Sequence, residues 1–291
     1  MRGRAMLAAL VALLGLAVLA ALFGVSRDDD DPGAELAVAG PSCEGLAPTI
    51  VGTDRSDAID GTSGPDVIIA KGGNDVIRAF GGNDVVCGGP GNDRIQTGDG
   101  DDVAIGGTGN DWVSSAAGAE RVVGGDGDET VEVRTAPGAP VTLLGDEGLD
   151  LLTLEVTGTE PVLLDQAEQL LIMGPEPEHE PGAFGGWELV WLKGNHPWTY
   201  VGTDASDSVI AIGGSLSAST YGGNDVVSAG KGDDVVNGGE GRRDVAAVIG
   251  GLNSCWETEW GDCDDTVVPP VARPVLARQP SSAARAARTA A

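Results

Sequence analysis

The sequence contains few aromatic residues and few cations. Only 4% of its 291 residues are Phe, Trp or Tyr, and 17 Lys and Arg stand against 45 Asp and Glu, a formal net charge of −28. No basic stripe runs along the chain, which excludes nucleic acid as an expected partner. Repulsion among these acids opposes folding, and the few aromatic residues contribute little to a hydrophobic core that could offset it. The chain is therefore not expected to fold unaided.

The signatures of two common hydrolase classes are also lacking. His179-Glu180 is followed directly by Pro181, so the HExxH helix of zinc proteases is missing. No GxSxG segment is present that could form a nucleophile elbow. We therefore expect a protein that is not an enzyme of these classes.

What the sequence does contain is a strict period of nine. An acid recurs at every ninth position: Asp57, Asp66, Asp75, Asp84, Asp93, Asp102, Asp111, Glu120 and Glu129. A small or aliphatic residue follows two positions after each acid: Ile59, Ile68, Ile77, Val86, Ile95, Ala104, Val113, Val122 and Val131. A fixed short period is typical of a solenoid.

The best copies of the repeat show how one unit folds. Residues 88–96 read GGPGNDRIQ, and residues 106–114 read GGTGNDWVS. The glycine pair permits a sharp turn at positive φ. The last three residues are extended, so the middle aliphatic side chain points inward and its neighbours point outward. Two repeats then close one rung, which predicts an all-β fold, a parallel β-roll or β-solenoid.

This pattern, G-G-x-G-x-D-x-U-x, resembles the RTX or hemolysin-type calcium-binding nonapeptide repeat. Residues 49–132 resemble it throughout, and residues 201–246 resemble it in part. Cys43 ahead of the repeats and the later Cys255 and Cys263 are similar to those of secreted actinobacterial calcium-binding proteins. The resemblance implies calcium-binding turns, in which several Ca²⁺ ions are held by the repeat Asp and by turn carbonyls.

The spacing of the acids gives an independent reason for a metal. Acids eighteen residues apart share one edge of the roll, where neighbouring strands stack about 4.8 Å apart. Bare carboxylates at that range repel each other, and a divalent cation between them reverses the interaction. Calcium suits such a site because it accepts six to eight oxygen ligands in flexible geometry. The expected ligands of the first block are Asp57, Asp66, Asp75, Asp84, Asp93, Asp102 and Asp111.

The prediction of calcium ligands is weaker at the end of each row of acids that share one edge of the roll. Glu120 and Glu129 have longer side chains, and they are left out of the expected ligands. A solvated acidic face on an ordinary β-solenoid is the alternative interpretation of all these acids.

The second block is expected to hold one or two sites. Its candidate ligands are Asp207, Asp225 and Asp234, with Asp207 and Asp225 the best pair. Leu216 stands where an acid would continue the column and should interrupt it. Asp244 falls one residue late, so it is not among the expected ligands.

The N-terminal residues indicate export. Arg2 and Arg4 precede an apolar run at residues 5–25. This arrangement is typical of a secretory signal, although the run is long enough to remain as a membrane anchor. We expect an extracellular protein, held at the cell surface and in contact with a membrane only if residues 5–25 are not cleaved.

Four cysteines agree with an oxidising compartment. Cys87 occupies the ninth, outward-pointing position of its repeat, and Cys43 lies just ahead of the first repeat. We predict a Cys43–Cys87 disulfide and a Cys255–Cys263 loop. Only proximity in the sequence selects these among the three possible pairings, and free thiols or metal ligands remain alternatives. Zinc is disfavoured by the presence of only two His and the absence of a CxxC segment.

The remaining segments complete the expected organisation. Trp187, Trp191, Trp198 and Tyr200 form an aromatic cluster that is expected to pack in the core or in a cap, with a sugar-stacking platform as the alternative. The expected segments are 1–26, signal peptide or N-terminal membrane anchor; 27–48, linker and N-terminal cap; 49–132, RTX repeat β-roll; 133–200, degenerate β-solenoid; 201–250, second, partial RTX block; 251–268, disulfide-closed C-terminal cap; and 269–291, disordered tail.

These features predict a secreted calcium-binding structural or adhesive module whose β-roll folds when it binds calcium outside the cell. Extracellular or cell-wall polysaccharide is a candidate partner. The alternative is a polysaccharide-acting β-solenoid enzyme, a lyase or epimerase, because such folds can carry out catalysis with carboxylates alone.

Overall fold

The computed structural model describes residues 42–137, 140–174, 182–241 and 243–256. The expected signal or anchor at 1–26 and the expected tail at 269–291 lie outside these residues. In the described ranges the secondary-structure elements are all β-strands. No helix in these ranges is long and apolar enough to cross a membrane.

The strands are short and follow one another at close intervals. In chain order they are β1 (Ile50–Val51), β2 (Ala58–Asp60), β3 (Val67–Ile69), β4 (Val76–Arg78), β5 (Val85–Pro90), β6 (Arg94–Gln96), β7 (Val103–Thr108), β8 (Trp112–Ser115), β9 (Arg121–Asp126), β10 (Thr130–Thr135), β11 (Thr142–Glu147), β12 (Leu151–Val156), β13 (Val162–Asp165), β14 (Leu170–Met173), β15 (Phe184–Gly185), β16 (Leu189–Lys193), β17 (Pro197–Val201), β18 (Ser208–Ile212), β19 (Ser215–Ser219), β20 (Gly222–Gly223), β21 (Val226–Ala229), β22 (Val235–Asn237), β23 (Glu240–Gly241), β24 (Val245–Val248) and β25 (Ser254–Trp256).

Two parallel sheets form the walls of the N-terminal part. One has the order β1-β3-β5-β7-β9-β11-β15, and the other has the order β2-β4-β6-β8-β10-β12-β16-β18-β21-β24. Val85 pairs with Val103 and Arg94 pairs with Trp112, a register of eighteen residues. Two repeats therefore complete one rung, as predicted. The fold is an all-β solenoid of about 11 turns, consistent with a β-roll.

The core lies between these walls and is made by the aliphatic row of the repeat. All nine predicted inward residues are buried: Ile59, Ile68, Ile77, Val86, Ile95, Ala104, Val113, Val122 and Val131. The same row continues through Leu143, Leu152 and Val190. Because each rung stacks its aliphatic side chain on the next, the core is a continuous stripe along the solenoid axis.

The regular spacing of the rungs changes after β10. Thr130 pairs with Leu151, a step of 21 residues, and Leu151 pairs with Leu189, a step of 38. The seven-stranded sheet ends at β15. A third sheet, in the order β14-β13-β17-β19-β22-β25, follows and begins with the antiparallel pair β13–β14. One wall is thus replaced while the ten-stranded sheet continues without a break.

Large aromatic side chains fill the core where the wall changes. Trp187, Trp198 and Tyr200 are each at most 2% exposed. The Trp187 Nε1–H donates to the Leu143 carbonyl at 3.1 Å, and the Trp198 Nε1–H donates to the Gly213 carbonyl at 3.2 Å. These three residues pack in the core as expected. Trp191 instead lies half-buried, with its side chain alternating outward from the buried Val190 and Leu192.

A disulfide closes the N-terminal end of the described solenoid. Cys43 is bonded to Cys87, with 6.0 Å between their Cα atoms, as predicted. Cys87 lies half-buried on β5, beside the fully buried Val86. Cys255 is disulfide-bonded as well, but Cys263 lies outside the described residues, so the Cys255–Cys263 pairing stays a prediction.

Candidate metal centre

One acid stands directly before each strand of the ten-stranded sheet. We call this row the first acid column: Asp57, Asp75, Asp93, Asp111, Glu129, Asp150, Glu188, Asp207, Asp225 and Asp244. A second acid column precedes strands of the seven-stranded sheet: Asp66, Asp84, Asp102 and Glu120. The sequence-predicted ligands are therefore brought together in rows, with one further predicted ligand, Asp234, before β22 in the third sheet.

Within each column, side chains and backbone are linked from rung to rung. In most rungs, Oδ1 of an Asp accepts a hydrogen bond from the backbone N–H of the acid one rung before it; this holds for Asp75, Asp84, Asp93, Asp102, Asp111, Asp150, Asp225 and Asp244. The Asp93 N–H, for example, donates to Asp111 Oδ1 at 2.7 Å, and the Asp84 N–H donates to Asp102 Oδ1 at 2.8 Å. The ladder fixes the orientation of each carboxylate that takes part in it, so the second oxygen of that carboxylate is held in a defined place.

Many of these second oxygens are buried without a hydrogen-bond partner among the described residues. They are Oδ2 of Asp75, Asp84, Asp93, Asp102, Asp111, Asp150, Asp225 and Asp234, and both carboxylate oxygens of Glu120 and Glu129. A charged oxygen buried without a partner is strongly unfavourable. A row of such oxygens is what a bound cation would satisfy, so the residues present fit calcium.

Backbone carbonyls face the same space. A Cβ on Gly88 would touch Asp93 Oδ2 and would lie 2.6 Å from the Gly106 carbonyl oxygen. A Cβ on Gly106 would likewise touch Asp111 Oδ2 and would lie 2.5 Å from the Gly124 carbonyl oxygen. The first glycine of the turn therefore leaves room in which a carboxylate and a carbonyl of the next rung converge. Both are oxygen ligands of the kind that calcium prefers.

A second type of turn closes this space with protein atoms. In the turns that begin Gly-Thr, the Thr donates to the Asp oxygen that has no partner in the Gly-rich turns. The Thr53 N–H and hydroxyl donate to Asp57 Oδ2 at 2.7 and 2.8 Å, and Thr62 bonds Asp66 Oδ2 in the same way at 2.7 and 2.9 Å. We call these Thr turns. Their Asp oxygens accept protein donors and are not left without partners.

Asp207 also follows a Thr turn. The Thr203 N–H donates to its Oδ2 at 2.9 Å. Its Oδ1 accepts from the Tyr200 hydroxyl at 2.9 Å and from Gln166 Nε2 at 3.1 Å. The buried aromatic residue at the wall change is thus tied to the first acid column.

The charge state of the acids follows their surroundings. Backbone and hydroxyl hydrogen bonds from Thr53 lower the pKa of Asp57. In the Gly-rich turns burial has the opposite effect and raises the pKa of Asp93 to about 6 and that of Asp111 to about 7. Burial similarly raises the pKa of Glu120 to about 7. Without an ion, these buried acids resist ionisation.

No described cation compensates these buried acids. The three described ion pairs join exposed or half-buried side chains: Arg78–Asp60, Arg121–Glu44 and Arg134–Glu155. In the described ranges, no group of three or more His, Cys, Asp or Glu forms a ready-made metal cluster. An ion in the columns would therefore rely on backbone carbonyls as well as on one or two carboxylates.

In the second block, one acid position is occupied by a Leu, and the first acid column continues to one acid more than predicted. Leu216 occupies the acid position one rung before Asp234 and donates its N–H to Asp234 Oδ1 at 2.7 Å, so the predicted gap is present. Asp244 accepts the Asp225 N–H at 3.0 Å. The extra residue is therefore absorbed within the turn, and Asp244 lies in the first acid column although the count of nine had left it out.

The comparison with protein families matches this geometry. The model of the RTX calcium-binding nonapeptide repeat (4 copies) matches residues 60–95, 96–131 and 219–243. The chain carries RTX calcium-binding nonapeptide repeats. They form a calcium-binding β-roll module in which the repeat Asp are the buried acids of the columns. A search of the curated proteins gave no match, and a search of the solved structures gave none either.

Sequence reasoning missed three members of the first acid column. Asp150, Glu188 and Asp244 precede β12, β16 and β24, but the preceding insertions break the count of nine. A local signal was nevertheless present, because each acid is followed two residues later by a buried aliphatic residue: Leu152, Val190 and Ala246.

Proposed function

We propose that this protein is a secreted structural or adhesive module whose β-roll folds when its RTX repeats bind calcium outside the cell. The observation that carries the proposal is the row of buried carboxylate oxygens without partners. A chain with a formal net charge of −28 cannot bury ionised acids unaided. Calcium binding would supply both the missing charge and the missing ligand contacts, so that binding and folding are one event.

We place the ions at the Gly-rich turns. Of the ten acids expected from the sequence, seven have a buried oxygen without a partner and are the ligands we propose: Asp75, Asp84, Asp93, Asp102, Asp111, Asp225 and Asp234. The Asp of the three Thr turns already accept protein hydrogen bonds. We propose that they close the columns without an ion.

A pair of substitutions tests this assignment. Asp225→Asn should remove one bound calcium ion, because its Oδ2 has no protein partner. Asp207→Asn should leave the number of ions unchanged and should lower stability instead, because it weakens bonds to Tyr200 and Thr203. Native mass spectrometry in calcium counts the ions. Loss of an ion from Asp207→Asn would show that the Thr turns bind metal after all.

The extracellular location rests on the cysteines and the N-terminus. The Cys43–Cys87 disulfide favours an oxidising compartment, and the apolar run at residues 5–25 has the character of an export signal. Extracellular calcium modules bind in the range of roughly 10⁻⁴ to 10⁻³ M, so the fold would form after export. Fractionation of cells that express the full chain tests this. Folded protein found only in the cytosol would contradict it.

The proposed partner is extracellular or cell-wall polysaccharide. A lyase or epimerase would need an acidic groove beside Trp187 and Trp191, but Trp187 is 2% exposed and its N–H is bonded to a core carbonyl. This burial removes Trp187 from any surface groove and so disfavours a catalytic site there. Incubation with polyuronates in calcium, with binding and chain cleavage followed together, tests the choice: binding without turnover supports the proposal, and turnover contradicts it.

A further inference from the structure

The first acid column continues beyond the RTX-matched residues. Glu129 ends the last matched repeat of the first block, whose match stops at residue 131. Asp150 comes 21 residues later, outside the matched segments. Its Oδ1 nevertheless accepts the Glu129 N–H at 2.9 Å, the same bond that links the regular rungs.

The two acids at this wider rung are buried and lack partners. Glu129 and Asp150 are each 1% exposed. Both carboxylate oxygens of Glu129 and Oδ2 of Asp150 have no hydrogen-bond partner among the described residues. Three buried carboxyl oxygens thus lie on two neighbouring rungs, and no donor in the described part of the protein is bonded to them.

Turn carbonyls border the same space. A Cβ on Gly124 would lie 2.7 Å from the Gly145 carbonyl oxygen and 3.3 Å from Glu129 Oε2. A Cβ on Gly145 would lie 2.6 Å from Asp150 Oδ2 and would touch the Gly186 carbonyl oxygen. Carboxylate and carbonyl oxygens therefore alternate along this stretch as they do in the regular turns.

The charged groups that act on the pair are all acidic. Burial raises the pKa of Glu129 to about 8, and the Asp150 and Asp111 carboxylates add to that effect. Asp128 and Asp146 act on Asp150 in the same direction. With no cation among these neighbours, the pair needs either a bound ion or a proton shared between the two carboxyl groups.

We propose that Glu129 and Asp150, with the carbonyls of Gly145 and Gly186, bind a divalent cation of the calcium type at the wide rung, outside the nonapeptide pattern. The inference rests on the proposed calcium function of the RTX repeats. It adds a site whose ligands are one Glu and one Asp at a spacing of 21 residues, and it extends the metal column toward the point where one wall is replaced.

The test is a count of bound ions in the full chain with its disulfides formed. Glu129→Gln/Asp150→Asn should bind one calcium ion fewer than the wild type by native mass spectrometry, and its calcium titration should lose that ion's contribution. The matched control Asp126→Asn/Glu132→Gln removes two exposed charges from the same rungs and should keep the full count. Asp93→Asn/Asp111→Asn serves as the positive control for the RTX column.

The outcomes separate the two proposals. If Asp93→Asn/Asp111→Asn loses ions while Glu129→Gln/Asp150→Asn keeps the wild-type count, a shared proton occupies the wide rung and the inference is wrong, although the RTX function stands. If neither variant loses an ion, the proposed function itself fails.

Misfolding is controlled by circular dichroism in calcium and by a second variant. An amide oxygen at position 150 can still accept the Glu129 N–H, so the double variant should keep its β-spectrum. Glu129→Gln alone leaves the bond from the backbone N–H of residue 129 to Asp150 Oδ1 intact, and it should by itself weaken calcium binding at this rung. An unchanged titration for this single variant would overturn the inference even if the double variant did not fold.

Discussion

Replacement of Asp111 by asparagine should have opposite effects with and without calcium. Burial raises the pKa of Asp111 from 3.8 to about 7. At about 1.4 kcal/mol per pH unit, keeping this carboxylate ionised at pH 8 costs the calcium-free fold on the order of 2 to 4 kcal/mol. The amide keeps an oxygen that can accept the Asp93 N–H. In EDTA at pH 8, Asp111→Asn should therefore stabilise the fold by a comparable amount.

In calcium the sign should reverse. Asp111 Oδ2 is one of the buried oxygens that we assign to an ion, and an amide supplies no charge to hold it. We expect the calcium concentration at the folding midpoint to rise by about tenfold or more, which corresponds to about 1.4 kcal/mol. A residue that serves only as a structural hydrogen-bond acceptor would not change sign with the ion.

The assay measures folding of wild type and variant by circular dichroism. In EDTA, folding is driven with trimethylamine N-oxide, which favours burial of protein surface; in calcium titrations, the calcium concentrations at the folding midpoint are compared. Glu132→Gln is the control because it removes one exposed carboxylate from the neighbouring strand β10. The reasoning is refuted if Asp111→Asn destabilises under both conditions, or if Glu132→Gln reproduces the reversal.

Three further predictions concern pH, the turns and the disulfide. Burial raises the pKa values of five column acids to between about 6 and about 8, so the stability of the calcium-free fold should be highest near pH 4 and should fall as the pH rises from there through these pKa values. Calcium should bind more weakly as the pH falls from about 8 to about 6, because protons compete for the same carboxylates. A β-spectrum in EDTA that strengthens from pH 5 to pH 8 would contradict the predicted stability of the calcium-free fold. Gly107→Ala places a Cβ against the Gly89 carbonyl oxygen at a φ of 124° and should destabilise the calcium-bound fold by roughly 2 kcal/mol or more, whereas Gly72→Ala, whose nearest contact is 3.7 Å, should stay within about 0.5 kcal/mol in thermal unfolding. Reduction of the Cys43–Cys87 disulfide, which closes a loop of sequence separation 44, should cost roughly 3 to 4 kcal/mol, and an unchanged melting temperature in reductant would show that the end of the solenoid holds without it.

The sequence predicted the regular part of the solenoid because each repeat has the same length and the same alternation of inward and outward side chains. The period placed Ile95 and Val113 inside and Cys87 outside, and it located the gap at Leu216. These predictions need only the alternation of strand side chains and a constant rung length, and the structure confirms them.

The parts that could not be predicted are those in which neighbouring rungs differ. The length of an insertion before Asp150 or Glu188 does not say whether the chain returns to the same register. Pairing across the sheet decides that, and it restores the register each time. The change of wall from β15 to the third sheet depends on how Trp187 and Tyr200 pack, which no local period contains.

The Thr turns were present in the sequence but were counted with the others. Gly52-Thr53 and Gly202-Thr203 keep the spacing of the other turns, in which the Asp follows the first Gly by five residues. A hydroxyl and a backbone N–H directed at the Asp make a turn that satisfies its own carboxylate. The difference between a turn that satisfies its own Asp and one that leaves an Asp oxygen without a partner therefore lies in one residue, the second of the repeat.

The most direct test of calcium-coupled folding is a calcium titration of the wild-type chain followed by far-UV circular dichroism and calorimetry together. We predict a spectrum without β-structure in EDTA at neutral pH. A cooperative transition to a β-spectrum should follow at a free calcium concentration on the order of 10⁻⁴ to 10⁻³ M, with heat released over the same range. An identical β-spectrum in EDTA and in millimolar calcium would contradict the account.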